Sequence, residues 1–248
     1  MTEVILVVLQ RSDTASDLLL AAERLAALAD GAHLSILGVN NAAHLALEAA
    51  YEDWLTSTHA TAVDAQWHTV PEDTASAVEE RGARADLIVI GRPAEDDDPG
   101  IRQVFRTVLL KTGRPVLLVP PGGLPKQEFG RRVAIAWRQD EHTAKAVLPA
   151  LRYIVRADRV FLLTGLRKGG VAPGIPEVLA THEIPVEFHF VPIGSGFFGE
   201  TLLAKAHELA ADMLVMGAYA HSPLHNLVYG GVTRFMLQHA DLPVLMRY

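Results

Sequence analysis

Gly217 closes a short apolar run, Asp212-Met213-Leu214-Val215-Met216-Gly217, and Gly230-Gly231-Val232-Thr233 opens an amphipathic segment after it. A strand that ends in glycine and a glycine turn that feeds a helix can together hold an anion. The first N–H groups of a helix have no partner within it, and the helix dipole places positive potential at the same end. Glycine lets the backbone approach a phosphate where a β-carbon would stand in the way. On this reading Gly217, Gly230 and Gly231 clear the approach, the N–H groups of residues 231–233 form the cradle, and Thr233 adds a hydroxyl. The plainer alternative is that the glycines only shape a turn and a helix end.

Other segments carry weaker chemistry. Gly194-Ser195-Gly196-Phe197-Phe198-Gly199 spells a GxGxxG. A dinucleotide site expects that motif after the first strand of its unit, with an acid ending the next strand. Here it follows a third strand, so it is read as a helix-entry loop that edges the same crevice. His221 and His225 have metal-pair spacing, but Pro223 lies between them and no third ligand is near, so a polar loop is the better reading. His182, His189 and His239 are scattered. Glu95-Asp96-Asp97-Asp98 reads as a solvated acidic loop, with a divalent-cation site as the lesser alternative. There is no Walker loop, no G-x-S-x-G elbow and no paired-carboxylate arrangement. No nucleophile or general base can be named, which argues against an enzyme and leaves slow ATP hydrolysis open.

The elements that position the glycines belong to a repeat. Asp86-Leu87-Ile88-Val89-Ile90-Gly91 matches the run ending at Gly217, at an offset of 126 residues. Arg114-Pro115-Val116-Leu117-Leu118-Val119 matches Leu242-Pro243-Val244-Leu245-Met246-Arg247 at 128, and Thr14-Ala15 matches Thr143-Ala144 at 129. Three matches in one order at nearly one offset mark a duplicated unit. Pro120-Pro121-Gly122-Gly123-Leu124-Pro125 reads as the linker, giving domains over 1–122 and 129–248.

Each copy alternates short apolar runs with longer amphipathic ones. Strands are predicted at 4–9, 32–38, 64–69, 86–91 and 115–119, with helices at 14–29, 42–57, 72–83 and 101–112. In the second copy strands are predicted at 132–137, 159–164, 185–192, 212–217 and 243–247, with helices at 141–155, 174–182, 199–210 and 231–240. Continuous apolar strands are buried on both faces, as in a parallel sheet covered by helices. The fold class is therefore α/β, two tandem doubly wound, Rossmann-like parallel-sheet domains of five strands each. Pro149 is expected to kink its helix or mark a turn. In the first copy, positions 128 before Gly230 and Gly231 hold Arg102 and Gln103. With its cradle glycines gone and four carboxylates in the loop, that copy is expected to bind no nucleotide.

Composition narrows the classes further. Half of the 248 residues are hydrophobic and 21% are charged, enough for a real core. A net charge of −7 argues against nucleic-acid and anionic-membrane partners. The absence of cysteine excludes thiol catalysis and thiolate metal sites. No apolar run approaches the roughly 18 residues that span a bilayer. The first ten residues read as a buried strand rather than a signal peptide, and a soluble, cytoplasmic chain is expected.

The spacing Gly217, Ala218-Tyr219, Ala220, residues 221–229, Gly230, Gly231 resembles the nucleotide-binding signature of the universal stress protein family: Gly, two residues, Gly, nine residues, Gly, then Gly, Ser or Thr. The words VMGAYAHSPL, GGVTRFML and LPVLM are similar to that family's C-terminal portion, and the resemblance extends over both copies as a tandem member. It implies a stress-response role and an ATP site, or one for ADP or AMP, with no metal beyond a nucleotide-bound Mg. It places Ala136, Trp137, Arg138, Gly217, Ala220, Gly230, Gly231, Val232 and Thr233 at that site. Two residues depart from the family pattern. Ala220 stands where ATP-binding members carry the second glycine. Arg138 stands where they carry an acid that contacts the nucleoside; it cannot accept a hydrogen bond, but it can pair with a phosphate. Trp137 either stacks on a base or is a buried aromatic at a strand end. The resemblance also implies that the strands near 115–119 and 243–247 pair edge to edge, between domains or in a homodimer. Two rivals stand beside it: a nucleotide-independent scaffold or interaction protein, and an enzyme acting on a phosphorylated small molecule.

Overall fold

The computed structural model describes residues 2–39, 43–57, 64–70, 74–124, 129–167, 169–171, 173–194, 196–218 and 231–248. The chain divides into two compact units, Met1–Leu124 and Pro125–Tyr248. Unit 1 runs β1 (Glu3–Leu9), α1 (Ser12–Leu28), β2 (Ala32–Gly38), α2 (His44–Ser57), β3 (Asp64–Thr69), α3 (Thr74–Arg84), β4 (Leu87–Gly91), α4 (Pro99–Lys111) and β5 (Val116–Val119). Unit 2 repeats the pattern with β6 (Arg132–Ala136), α5 (Glu141–Ile154), β7 (Arg159–Leu166), α6 (Glu177–Thr181), β8 (Val186–Pro192), α7 (Phe198–Glu208), β9 (Met213–Gly217), α8 (Gly231–His239) and β10 (Val244–Arg247). The α/β, parallel-sheet class expected from the apolar runs is the observed one.

Within unit 1 the strand order is β3-β2-β1-β4-β5, and within unit 2 it is β10-β9-β6-β7-β8. The strand pairs within each unit are parallel. The first strand of each unit lies in the middle, β1 between β2 and β4, and β6 between β7 and β9. Ile5, Val7, Val89, Ile135 and Val215 on these central strands are wholly buried. The outer strands β3 and β8 are only partly covered, which matches their polar sequences. Helix α1 packs on α2, α3 on α4, and α7 on α8.

One aspartate per unit fixes the start of the central strand. In unit 1 the Val4 N–H donates to Asp86 at 2.9 Å, and the Asp86 N–H returns a bond to the Val4 carbonyl at 2.8 Å. In unit 2 the equivalent Asp212 is buried and accepts three N–H groups, from Gly130 at 3.0 Å, Arg131 at 2.9 Å and Arg132 at 2.8 Å. Gly130 adopts a φ of +80°, a conformation a side chain would strain. Burial pushes the Asp212 carboxyl above its ordinary range, while the three N–H donors and nearby Arg132 pull the other way. The Arg132 guanidinium donates to the Leu209 carbonyl at 2.6 Å, closing the end of α7.

Three elements differ from expectation for local reasons. Helix α6 begins at Glu177 rather than near 174, because Pro176 forces the residue before it out of helical geometry. Pro149 does not mark a turn: α5 continues to Ile154. Val147, Ala150, Tyr153 and Ile154 are buried on that helix, and their packing holds it through the missing hydrogen bond. The acidic run is not simply a solvated loop. Asp97 is buried and accepts the Ala94 N–H, and Asp98 caps α4 by accepting from Ile101 at 2.9 Å, with Pro99 at the first helical position.

Replacing Asp212 with alanine orphans three backbone donors. We expect Asp212→Ala to lose about 3 kcal/mol of stability, against about 1 kcal/mol for Asp86→Ala at the exposed equivalent. Urea unfolding checks this, and equal losses would show that the buried carboxylate is not the stronger clamp. The N-cap of α5 gives a pH-dependent case. Burial of Asp140 favours its proton, but the Thr143 N–H, the Arg138 guanidinium and the Thr143 hydroxyl together outweigh it and hold the carboxyl below its ordinary value. The stabilisation is therefore present above the unfolded-state pKa of about 4 and is lost as pH falls through the lower folded value. Asp140→Ala should be less stable than the parent at pH 7, with the gap closing in strong acid. A gap unchanged between pH 7 and pH 2 would sink this account.

Candidate functional site in unit 2

Strand order reverses between β6 and β9, so the crossovers leave these neighbours toward opposite faces and a crevice opens beyond their C-terminal ends. In unit 2 it is a cavity of about 590 Å³, within the size range of small-molecule and cofactor sites. Ala136, Trp137 and Arg138 line it from the end of β6, Gly217 from the end of β9, and Gly231, Val232 and Thr233 from the start of α8. Seven of the nine residues named from the sequence thus face one space; Ala220 and Gly230 lie outside the described residues. His221 and His225 lie outside them as well.

Trp137 is 6% exposed; its main-chain N–H donates to Leu163 and its indole N–H to the Gly174 carbonyl, each at 2.9 Å. It is a buried aromatic that also forms cavity wall. Arg138 points its guanidinium at Asp140. The cation expected to be available to a phosphate is thus engaged with the cap of α5. Thr143 donates its hydroxyl to the same carboxylate at 3.0 Å. Gly231 is under no steric compulsion to be glycine, since a β-carbon there would meet the Phe197 ring at an ordinary 3.4 Å.

The structure adds residues that motif reasoning passed over. Leu163, Thr164 and Gly165 line the cavity from the end of β7, and Ile193 and Phe198 from the segment leading into α7. The GxGxxG loop therefore edges the crevice, through its own Phe198 and its neighbour Ile193. Gly199 serves packing instead: a β-carbon there would come within 2.8 Å of Phe235 on α8. The sequence signal for Thr164 was a lone polar residue before glycine at the end of an apolar strand.

In unit 1 the pocket that the described residues form at the ends of β1 and β4 is small. Its remaining space is about 10 Å³, no more than a single water occupies. Arg11 reaches across it to buried Asp97 at 3.2 Å, and the Gln10 amide donates to the Ile101 carbonyl at 3.0 Å. Arg102 and Gln103 lie inside α4, whose N-terminus is already capped by Asp98. A side-chain carboxylate occupies the place that an anionic ligand would take.

Among the described residues no group of three metal-ligating side chains occurs, and no helix is long and apolar enough to cross a membrane. Residues 176–246 match the model of the Universal stress protein family. No curated protein matches the chain in sequence. Among solved structures, a universal stress protein from Archaeoglobus fulgidus is similar at 14% identity and a TM-score of 0.65, covering 98% of this chain and 95% of its own. A putative universal stress protein from Pseudomonas aeruginosa also has 14% identity and a TM-score of 0.65, with coverage of 99% and 93%. The cytoplasmic domain of a prokaryotic cation chloride cotransporter has 15% identity and a TM-score of 0.51, with coverage of 99% and 95%. Residues 176–246 are thus similar to the Universal stress protein family, within a fold that the chain shares with universal stress proteins along nearly its whole length.

Proposed function

We propose that the chain is a universal stress protein, a non-catalytic or weakly catalytic, cytoplasmic stress-response protein that binds ATP, ADP, AMP or a related phosphate-bearing small molecule in unit 2. The observation that carries this reading is the contrast between the two crevices, about 590 Å³ against about 10 Å³. One is open beside the start of a helix, and the other is plugged by its own side chains. Binding would tie β6, β7, β9 and α8 together and stabilise the unit by an amount that rises with the logarithm of free ligand concentration above its dissociation constant. Mg would arrive only with the nucleotide. The Arg138–Asp140 pair favours a second reading, a nucleotide-independent scaffold, because it removes a cation from the phosphate side.

Titration calorimetry with AMP, ADP and Mg-ATP tests the choice, together with analysis of nucleotide carried through purification. We expect measurable binding to the wild-type protein and at least a tenfold loss in Gly231→Ala. The alanine should leave the fold intact, since its β-carbon meets the Phe197 ring at an ordinary 3.4 Å. Wild type that binds none of the three leaves the scaffold reading, and undiminished affinity in Gly231→Ala removes α8 from the site.

Edge pairing belongs to the same proposal. Within its own unit β5 is bonded only to β4, and β10 only to β9. Four-residue apolar strands with one neighbour need a partner, either the other unit or a second copy of the chain. Hydrogen exchange should then show β5 and β10 amides protected as strongly as those of β4 and β9. Fast exchange at alternate amides of β5 and β10 would contradict the pairing, and light scattering separates the tandem arrangement from the homodimer.

A further inference from the structure

The two units cover corresponding places with helices of unequal length. In unit 1 the 14-residue α2 packs on α1 and buries Leu47, Tyr51 and Trp54, spaced i, i+4 and i+7. The Tyr51 ring lies 5.4 Å from Trp67 on β3, and the Trp54 indole N–H donates to Glu23 on α1 at 3.1 Å. In unit 2 the corresponding α6 has only 5 residues. Thr14-Ala15 and Thr143-Ala144 align α1 with α5 at 129 positions. Leu19 and Ala26 lie on the same side of α1 as Glu23 and are buried. Their counterparts on α5, Leu148 and Val155, are 58% and 54% exposed. On β8, Phe188 and Phe190 alternate with Glu187 and His189. Glu187 is bonded to Arg159, which shares the Phe161 ring with Arg132, and Arg132 is tied to the end of α7. That face belongs to α7, so the two phenylalanines turn to the face of α5 and α6. They stack at 6.5 Å, and Phe190 is 48% exposed.

We propose that the groove between α5 and β8 docks an amphipathic helix of a partner protein, apolar at i, i+4 and i+7 and acidic where it meets α5. The apolar spacing follows from unit 1, where α2 fills the corresponding place with such a face. The charge follows from a residue that has changed sign. Glu23 corresponds to Arg152, which is exposed, and Arg156 one turn on is exposed as well. Glu23 accepts from the helix that covers it, whereas a guanidinium only donates, and a carboxylate is the acceptor that suits it best. A second copy of the chain is a poorer occupant. The apolar side of its α2 is already buried, and a second α5 would bring arginine to arginine. A net charge of −7 opposes an anionic lipid surface. This docking face does not depend on a ligand in the unit 2 cavity.

The probes are two stapled peptides with the sequence of residues 44–57, HLALEAAYEDWLTS, one carrying Trp54→Glu and the other Trp54→Gln. The staple holds the helix, which is marginal in water at this length. Both are titrated into the full-length protein and followed by protein NMR. We expect shifts at Leu148, Val155 and Phe190 and none at Leu19. The Trp54→Glu peptide should bind about three- to fivefold more tightly than its uncharged isostere, and Arg152→Gln should abolish that preference. Leu148→Asp, a change at an exposed position that leaves the fold intact, should weaken both peptides roughly tenfold or more. Neither peptide shifting the groove, equal affinities in wild type, or undiminished binding in Leu148→Asp overturns the proposal. Light scattering of the protein alone and with phosphatidylserine vesicles supplies the remaining outcomes. Self-association or vesicle binding that Leu148→Asp abolishes gives the face to a second copy or to lipid and overturns the partner helix.

Discussion

Strand β6 has β7 on one side and β9 on the other, and everything of interest in unit 2 depends on that placement. A parallel strand in the middle of a sheet needs helices over both faces, and right-handed crossovers supply them only if the chain leaves the centre in one direction and later returns on the other side. The cost of this arrangement is a gap at the carboxyl ends of the two central strands, where no crossover passes. The gap exists in both units because both have the same order. What differs is what the chain puts into it.

Unit 1 fills the gap with its own charges. Arg11 and Asp97 meet across it, and Asp98 supplies the anion that the start of α4 calls for. At the end of β2 the Trp67 ring lies so close to Gly38 that a β-carbon there would meet it at 2.6 Å. Unit 2 keeps the gap open. Asp140 caps α5 and draws Arg138 and Thr143 to itself, so the polar groups at the mouth satisfy one another and the interior is left mainly apolar. The duplicated halves have thus divided the work, one stabilising itself and one retaining space.

Most of the fold was legible because its central strands are short, largely apolar runs, several of them bounded by glycine or proline. DLIVIG and DMLVMG could hardly be read otherwise. The repeat fixed the rest, since each weakly patterned element had a counterpart. Legibility failed where one residue overrode a pattern: Pro176 shortened α6, and the packing of α5 carried Pro149. The site was legible in its backbone part, because glycines at strand and helix ends have a spacing that can be read. Its side-chain part was not. That Arg138 would turn to Asp140 is an outcome of three-dimensional proximity that no local period encodes.

The aspartate clamps also set a clock. The start of the central strand is bonded to a carboxylate 82 residues further along the chain in unit 1 and 80 residues further along in unit 2. During synthesis at about 5–20 residues per second, β1 and β6 each wait several seconds with one flank unpaired. Loops of that length make slow, non-local folding steps. A chain that emerges under heat or oxidant carries these two exposed apolar strands in turn, first in one half and then in the other. Its most vulnerable moment is thus during its own translation, before either clamp has closed.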